Sequence, residues 1–163
     1  MKNDPPLVPK LDLVLERAID VKPELVWKAW TVPEHVKQWL TPAPWKTVEC
    51  SIDLRPGGRF AFVMESPEGQ RFPHEACFLE VEPNRKLTWT VALEAGYRPS
   101  LQSSEVPPFT ATVLIEPHGK GSKYTAIARH ADAAGAKKHA EMGFTDGWGK
   151  ALDQLEALAK TMR

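Results

Sequence analysis

The side chains of this sequence that could do chemistry are few and scattered. His74 lies in a strand-like stretch, followed by Glu75 and then Glu80. Successive side chains of a strand point to opposite faces, so Glu75 and Glu80 cannot form the facing carboxylate pair of an acid–base site. His74 alone could hydrogen-bond a ligand or transfer a proton, although a single strand histidine more often has a structural role. We therefore predict no catalytic residues.

Metal-binding patterns are also weak. His130 and His139 are nine positions apart, a spacing unsuited to holding one metal ion together by local structure. Cys50 and Cys77 fall in separate predicted strands and form no close pair, so two packed, reduced thiols are expected. No metal and no cofactor is predicted. Arg17 could meet a ligand carboxylate, but an ion pair with a surface acid is the expected role.

The partners that composition excludes are nucleic acid and the membrane interior. The chain has 163 residues with 21 Lys and Arg against 21 Asp and Glu, so its net charge is zero. The sequence Gly119-Lys120-Gly121-Ser122 lacks the earlier glycine of a phosphate-binding loop. No apolar run is long enough to cross a bilayer, and residues 1–10 are polar and proline-rich. A cytoplasmic protein with a flexible leader over residues 1–10 is expected.

The end of the chain has the clearest periodicity. Large apolar residues recur at intervals of three and four from Phe144 onward, through Trp148, Leu152 and Leu155. Such spacing is typical of an amphipathic helix with one buried face. The pattern predicts one long helix from about Ala136 to Thr161.

The rest of the chain alternates as half-buried strands do, with two short helices after the first strand. Proline begins each helix, at Pro23 and Pro33, and Pro42 and Pro44 end the helical stretch. The predicted strands are Leu11–Asp20, Val48–Leu54, Arg59–Glu65, Arg71–Val81, Leu87–Leu93, Phe109–Glu116 and Lys123–His130. This order predicts an α+β fold, in one domain over residues 11–163.

One face of the predicted sheet is rich in aromatic residues, and a sheet curved around a single helix rarely packs without a cavity. Alternate residues of a strand share a face, which groups Phe60 with Phe62 on one strand. The residues predicted to line a ligand cavity are Trp39, Phe60, Phe62, His74, Phe78, Trp89, Met142 and Trp148. We expect Trp89 in the wall, Trp39 and Trp45 at the rim, and residues 94–108 as a movable cover.

Two glycines in the predicted helix leave a choice open. Gly143 and Gly147 are one turn apart, and each would cost about 1 kcal/mol relative to alanine in a helix interior. Either the helix begins late, near Asp146, or small side chains are needed where the sheet or a ligand comes close. Close approach is the favoured interpretation.

Four stretches carry a family resemblance. They are Pro23-Glu24-Leu25-Val26-Trp27; Pro33 to Trp39; Asp53 to Phe60; and His139 to Phe144 leading into Gly147-Trp148 and Leu152 to Leu155. Jointly and in this order they resemble homologues of the activator of the heat-shock-protein-ninety ATPase, in the START-like, birch-pollen-allergen-like superfamily. The resemblance implies a helix-grip fold, in which a curved antiparallel sheet wraps a long C-terminal helix.

The resemblance implies less about activity. Eukaryotic chaperone activators of this family add a domain with an Asn/Trp/His-rich motif, and no such motif occurs here. Stand-alone members resemble small-molecule or lipid-binding modules. The function predicted is therefore a non-catalytic binding or carrier module for a hydrophobic or aromatic small molecule or lipid. The alternatives are a cyclase- or hydratase-like enzyme using the same cavity and, by family analogy, a chaperone ATPase regulator with a chaperone partner.

Overall fold

A computed structural model of the chain describes residues 5–101 and 107–162. Its strands are β1 (Asp12–Ile19), β2 (Lys46–Ile52), β3 (Arg59–Glu65), β4 (Arg71–Glu82), β5 (Lys86–Thr90), β6 (Leu93–Glu94), β7 (Arg98–Pro99), β8 (Phe109–His118) and β9 (Gly121–His130). Its helices are α1 (Pro23–Thr31), α2 (Pro33–Trp39), α3 (Ala133–Glu141) and α4 (Phe144–Ala159). None of these helices is long and apolar enough to cross a membrane.

Seven strands form one antiparallel sheet in the order β1-β9-β8-β5-β4-β3-β2. Irregular register at the β2–β3 pair, between Thr47 and Glu49, and at the β4–β5 pair, between Phe78 and Glu80, marks β-bulges. Bulges bend a strand and increase its twist, which helps the sheet to curve. The α+β, helix-grip prediction is confirmed, because the C-terminal helix lies within this curved sheet.

Helix α4 packs through small and branched side chains. Leu152, Leu155 and Ala159 are almost completely buried against the inner face of the sheet. Helix α4 runs beside β1, and Ala126 of β9 belongs to the same buried core cluster as these α4 residues. Small side chains such as Ala126 and Ala159 allow close packing in this part of the core.

The prediction of one continuous helix over 136–161 is wrong. Helix α3 ends after Glu141, and α4 begins at Phe144. Between them Gly143 has φ of 93°, a left-handed conformation that side-chain-bearing residues seldom adopt. The apolar periodicity begins only at Phe144, so the predicted extension of the helix back to Ala136 had no such pattern behind it.

Polar contacts fix the short helices and β1 onto α4. The Gln154 side-chain amide donates to the carbonyl oxygens of Trp39 (2.8 Å) and Thr41 (2.9 Å), which tie the end of α2 to α4. Arg17 forms an ion pair with Asp153, as its predicted role requires. The first strand and the last helix are thereby joined beside the core.

Two further predictions concern the thiols and the long connection. Cys50 and Cys77 are free, and burial raises the pKa of Cys50 to about 11, which keeps its thiol protonated at neutral pH. β5 ends at Thr90, and the connection that follows contains the small β6–β7 hairpin. Residues 102–106, the middle of the predicted cover, lie outside the described residues, as do residues 1–4 of the predicted leader. Pro5 is described, and its carbonyl oxygen accepts a hydrogen bond from Arg129 (3.3 Å).

Candidate ligand-binding cavity

A cavity of about 390 Å³ lies between the inner face of the sheet and the helices. Side chains of β3, β4, β5 and β8 form its floor, α3 and α4 form its roof, and α1 and α2 close one side. Residues 107 and 108, from the end of the long connection, line it together with Ser100. The cavity therefore occupies the place where the sheet curves away from α4.

Seven of the eight residues predicted to line a cavity do so. They are Trp39, Phe60, Phe62, His74, Trp89, Met142 and Trp148. Phe78 does not, because it is completely buried and stacks on Phe60, with ring centroids 5.3 Å apart. Phe60 covers it and presents its own ring to the cavity instead.

The predicted depths need correction. Trp39 is only 2% exposed, and its indole Nε1 donates to the Ala29 carbonyl oxygen (2.8 Å), so it belongs to the wall and not to the rim. Trp45 packs at a tilt against Phe72, with ring centroids 5.5 Å apart, outside the cavity. The mouth is instead marked by Met142, which is half exposed at the break between α3 and α4.

The aromatic side chains form two contacting groups. In the first, Phe62 meets Phe60 (5.4 Å), Phe60 meets Trp89 edge-on (5.5 Å), and Trp89 meets Trp30 (4.9 Å). Each of these four residues lines the cavity. Tilted and edge-to-face rings fix one another's orientation and add attraction beyond their buried area.

The second group surrounds the junction of α3 and α4. His139 lies 4.9 Å from Phe109 and 5.4 Å from Phe144, while Phe144 lies 4.5 Å from Trp148. Phe109 and Phe144 line the cavity but are not in the predicted set. Phe109 begins β8, and its inward parity could have been read from Ala111 and Val113.

The glycines of the roof answer the choice left open by the sequence. A Cβ added at Gly147 would meet no heavy atom within 4 Å, apart from its chain neighbours and the backbone of its own helix. Gly147 also lines the cavity. Close approach of the sheet is therefore excluded at this position, while close approach of a ligand, the other half of the favoured interpretation, stays a prediction. The alternative, a late helix start near Asp146, fits Gly143, which precedes α4, but not Gly147, since α4 begins at Phe144. Gly147 keeps space open above the floor.

The polar groups of the cavity are few. Burial lowers the pKa of His74, which stacks on Phe62 (4.9 Å), and its Nε2 atom is buried without a partner among the described residues. The Tyr124 hydroxyl accepts a hydrogen bond from Trp30 Nε1 (3.0 Å), and burial raises its pKa. Glu75 is held by Arg59 (3.2 Å). The imidazole of His74 is therefore neutral at neutral pH, and the walls between these polar groups are apolar.

A pair of histidines was missed as a unit. His130 Nε2 and His139 Nδ1 are 2.8 Å apart, and His130 Nδ1 is 2.8 Å from the Leu11 carbonyl oxygen. Burial, with a smaller contribution from His130, lowers the pKa of His139 to about 4. The alternation of β9 could have placed His130 on the inner face, because it shares the parity of Tyr124. That alternation could not show that α3 brings His139 into contact with His130. Within the described ranges, no three potential ligand residues cluster to hold a metal ion.

A second hollow, of about 260 Å³, lies mainly on the outer face of β2, β3 and β4. Its walls include Ala61 and Val63, together with Glu49 and the ion pair between Arg59 and Glu75. This hollow is smaller and more polar, so it is the weaker candidate for an apolar ligand.

The architecture and the enclosed aromatic cavity define a helix-grip domain. The family model described as activator of Hsp90 ATPase homolog 1-like protein matches residues 20–160, so the chain belongs to that family. This confirms the resemblance carried by the four sequence stretches. A search of curated proteins finds no match.

Solved structures agree with the fold. A crystal structure of a protein from Nitrosomonas europaea is 45% identical, with a TM-score of 0.90 over 96% of this chain and 98% of that one. A protein from Rhodobacter sphaeroides is 19% identical, with a TM-score of 0.79 over 94% and 95% of the two chains. An AHSA1-like protein from Aeromonas hydrophila is 20% identical, with a TM-score of 0.68 over 93% and 94%. At such low identity the last two show the fold alone.

Proposed function

We propose that this protein binds a hydrophobic small molecule, preferably an aromatic one, in the cavity between the sheet and α4, without transforming it chemically. The observation that carries the proposal is the cavity itself, about 390 Å³ of space lined by four tryptophans and four phenylalanines. Ligand sites are typically concave, of about 300–1,000 Å³, and mostly apolar with a few placed polar groups.

The size of the cavity favours a compact ligand. At about 390 Å³ it falls near the lower end of typical ligand sites, so a fused aromatic ring system suits it better than a lipid with two acyl chains. The tilted rings of Phe60, Phe62 and Trp89 offer both faces and edges to such a guest. A single-chain lipid remains within the proposed class.

The cavity is also built to stay open. Gly147 lowers the helix propensity of α4 in the roof, and the space next to its Cα is unfilled. Met142 at the mouth is flexible and polarisable, which suits a contact with different apolar surfaces. Neither the cyclase-like reaction nor chaperone regulation has a comparable structural observation in its favour.

The fluorescent probe 1-anilinonaphthalene-8-sulfonate tests this proposal. The wild-type protein should bind one equivalent saturably, and an excess of about a hundredfold over the dissociation constant should stabilise the fold by about 2.7 kcal/mol. Gly147→Leu should abolish this binding, because its side chain would project into the cavity from a position that tolerates a helix former.

Thr145→Leu is the matched control, since Thr145 is exposed on the same helix. It adds a similar side chain to solvent and should leave probe binding unchanged. Absence of saturable binding to the wild type, or equal binding by wild type and Gly147→Leu, would contradict the proposal.

A further inference from the structure

The histidine pair forms a hydrogen-bonded chain that begins at the backbone. The Leu11 carbonyl oxygen can only accept a hydrogen bond, so the contact at 2.8 Å requires a proton on Nδ1 of His130. In a neutral imidazole the other nitrogen then carries a lone pair, so His130 Nε2 is an acceptor.

This acceptor fixes the tautomer of His139. Its Nδ1 lies 2.8 Å from His130 Nε2 and must therefore donate. The proton of neutral His139 is thus placed on Nδ1, and Nε2 keeps a lone pair. A backbone carbonyl on the strand side of the domain thereby determines which nitrogen of His139 can receive a hydrogen bond.

His139 Nε2 is available to accept a hydrogen bond. His139 lines the cavity, and among the described residues nothing bonds its Nε2, which is also not one of the fully buried polar atoms. Phe109 and Trp148 stand beside it, with ring centroids 4.9 and 6.3 Å from the imidazole. His74, by contrast, keeps its Nε2 buried, and β8 and β5 separate its strand from β9.

We propose that His139 Nε2 accepts a hydrogen bond from the hydroxyl group of a phenol-class aromatic ligand whose ring lies against Phe109 and Trp148. This inference rests on the proposed function and adds the chemical class of the ligand. His130 is a positioning residue, because it acts only by holding the tautomer and orientation of His139.

Two probes of similar shape separate this bond from simple apolar burial. 2-Naphthol can donate a hydrogen bond, whereas 2-methoxynaphthalene keeps the oxygen but has no donor. The wild-type protein should bind 2-naphthol about three- to tenfold more tightly, the range expected for one net hydrogen bond. His139→Phe should bind both probes and lose the preference, while the control His118→Phe, at an exposed histidine that ends β8 outside the cavity, should keep it.

Each result has a distinct meaning. If the wild type binds both probes equally, or if the preference is kept in His139→Phe or lost in His118→Phe, the assignment to His139 is overturned while cavity binding stands. If the wild type binds neither probe, the proposed function fails and the inference with it. Should His139→Phe not fold, ¹⁵N NMR of the wild-type histidines decides independently. A bare Nε2 on His139 that shifts when 2-naphthol is added supports the proposal, and a proton on Nε2 in the free protein overturns it.

Discussion

Gly143 and Gly147 are joined by the hydrogen bond from Gly147 N to the Gly143 carbonyl oxygen (2.7 Å), yet the two residues serve different purposes. Gly143 bends the chain between α3 and α4 with φ of 93°. Gly147 has no such conformation and lies in α4, facing the cavity. Gly143 shapes the backbone, whereas Gly147 leaves the adjacent part of the cavity unfilled.

Alanine substitutions at these two positions should therefore have opposite effects. Gly147→Ala should stabilise the protein by up to about 1 kcal/mol, because alanine favours the helix and its methyl group meets nothing. Gly143→Ala should destabilise it by about 1–2 kcal/mol, because a Cβ is strained in the left-handed region. Urea denaturation measures both changes, and effects of the same sign would contradict this division of roles.

The contact of α4 with the sheet predicts a large effect at Leu155. Leu155 is completely buried, so Leu155→Asp places an unpaired carboxylate in the core at a cost of several kcal/mol, against a total stability of about 5–15 kcal/mol. We expect loss of the cooperative thermal transition. The comparison is Asp153→Ala, two residues earlier, which removes the ion pair with Arg17.

Asp153 is 65% exposed, and such surface pairs contribute about 0–1 kcal/mol. Its removal should leave the transition nearly unchanged. A Leu155→Asp variant that melts like the wild type would show that α4 is not packed on the inner face as described.

The strands were predictable because their side chains alternate between a solvent face and a buried face. β3 agrees with its prediction at both ends, and α1 and α2 begin at the predicted prolines. The break at Gly143 was missed because the helix was extended upstream of Phe144, where the regular apolar spacing starts, and a left-handed glycine leaves no signal in a periodic pattern. Parity similarly placed Phe62 and His74 on the cavity side before the sheet was known.

Features that depend on packing between distant elements could not be predicted. Whether Trp39 forms the wall or the rim depends on how α2 is held by Gln154. The contact between His130 and His139 depends on where α3 rests on β9, and their separation in sequence gives no indication of it. Phe78 shares the parity of His74, but it lies beneath the ring of Phe60, which separates it from the cavity.

The lowered pKa of His139 predicts a specific pH dependence of stability. The pKa is about 4 in the folded protein against an ordinary value of 6.5, so protonation is disfavoured by folding. Its contribution to stability should be complete above pH 6.5 and be lost as the pH falls from 6.5 through about 4. His139→Phe removes this titration.

Denaturant unfolding between pH 7 and 4 measures the effect. The free energy of unfolding of the wild type should decline more steeply than that of His139→Phe, because the other titratable side chains are the same in both proteins. Parallel declines would contradict the assigned burial of His139.

Stability should not depend on a metal ion. We expect prolonged treatment with a chelator to leave the melting temperature unchanged, since among the described residues no group of three potential ligand residues is assembled. We also expect the isolated protein not to hydrolyse ATP. A tightly bound transition metal at one equivalent, found by elemental analysis of the purified protein, would contradict the first expectation.

Intermolecular nuclear Overhauser effects between bound 2-naphthol and the methyl groups of the protein test the central claim most directly. Ala76, Val91 and Ala151 line the cavity, whereas Ala61 and Val63 line the hollow on the outer face. We predict cross-peaks from the naphthol ring to the first three methyl-bearing residues and none to the last two. Cross-peaks confined to Ala61 and Val63 would place the ligand outside the sheet and contradict the account.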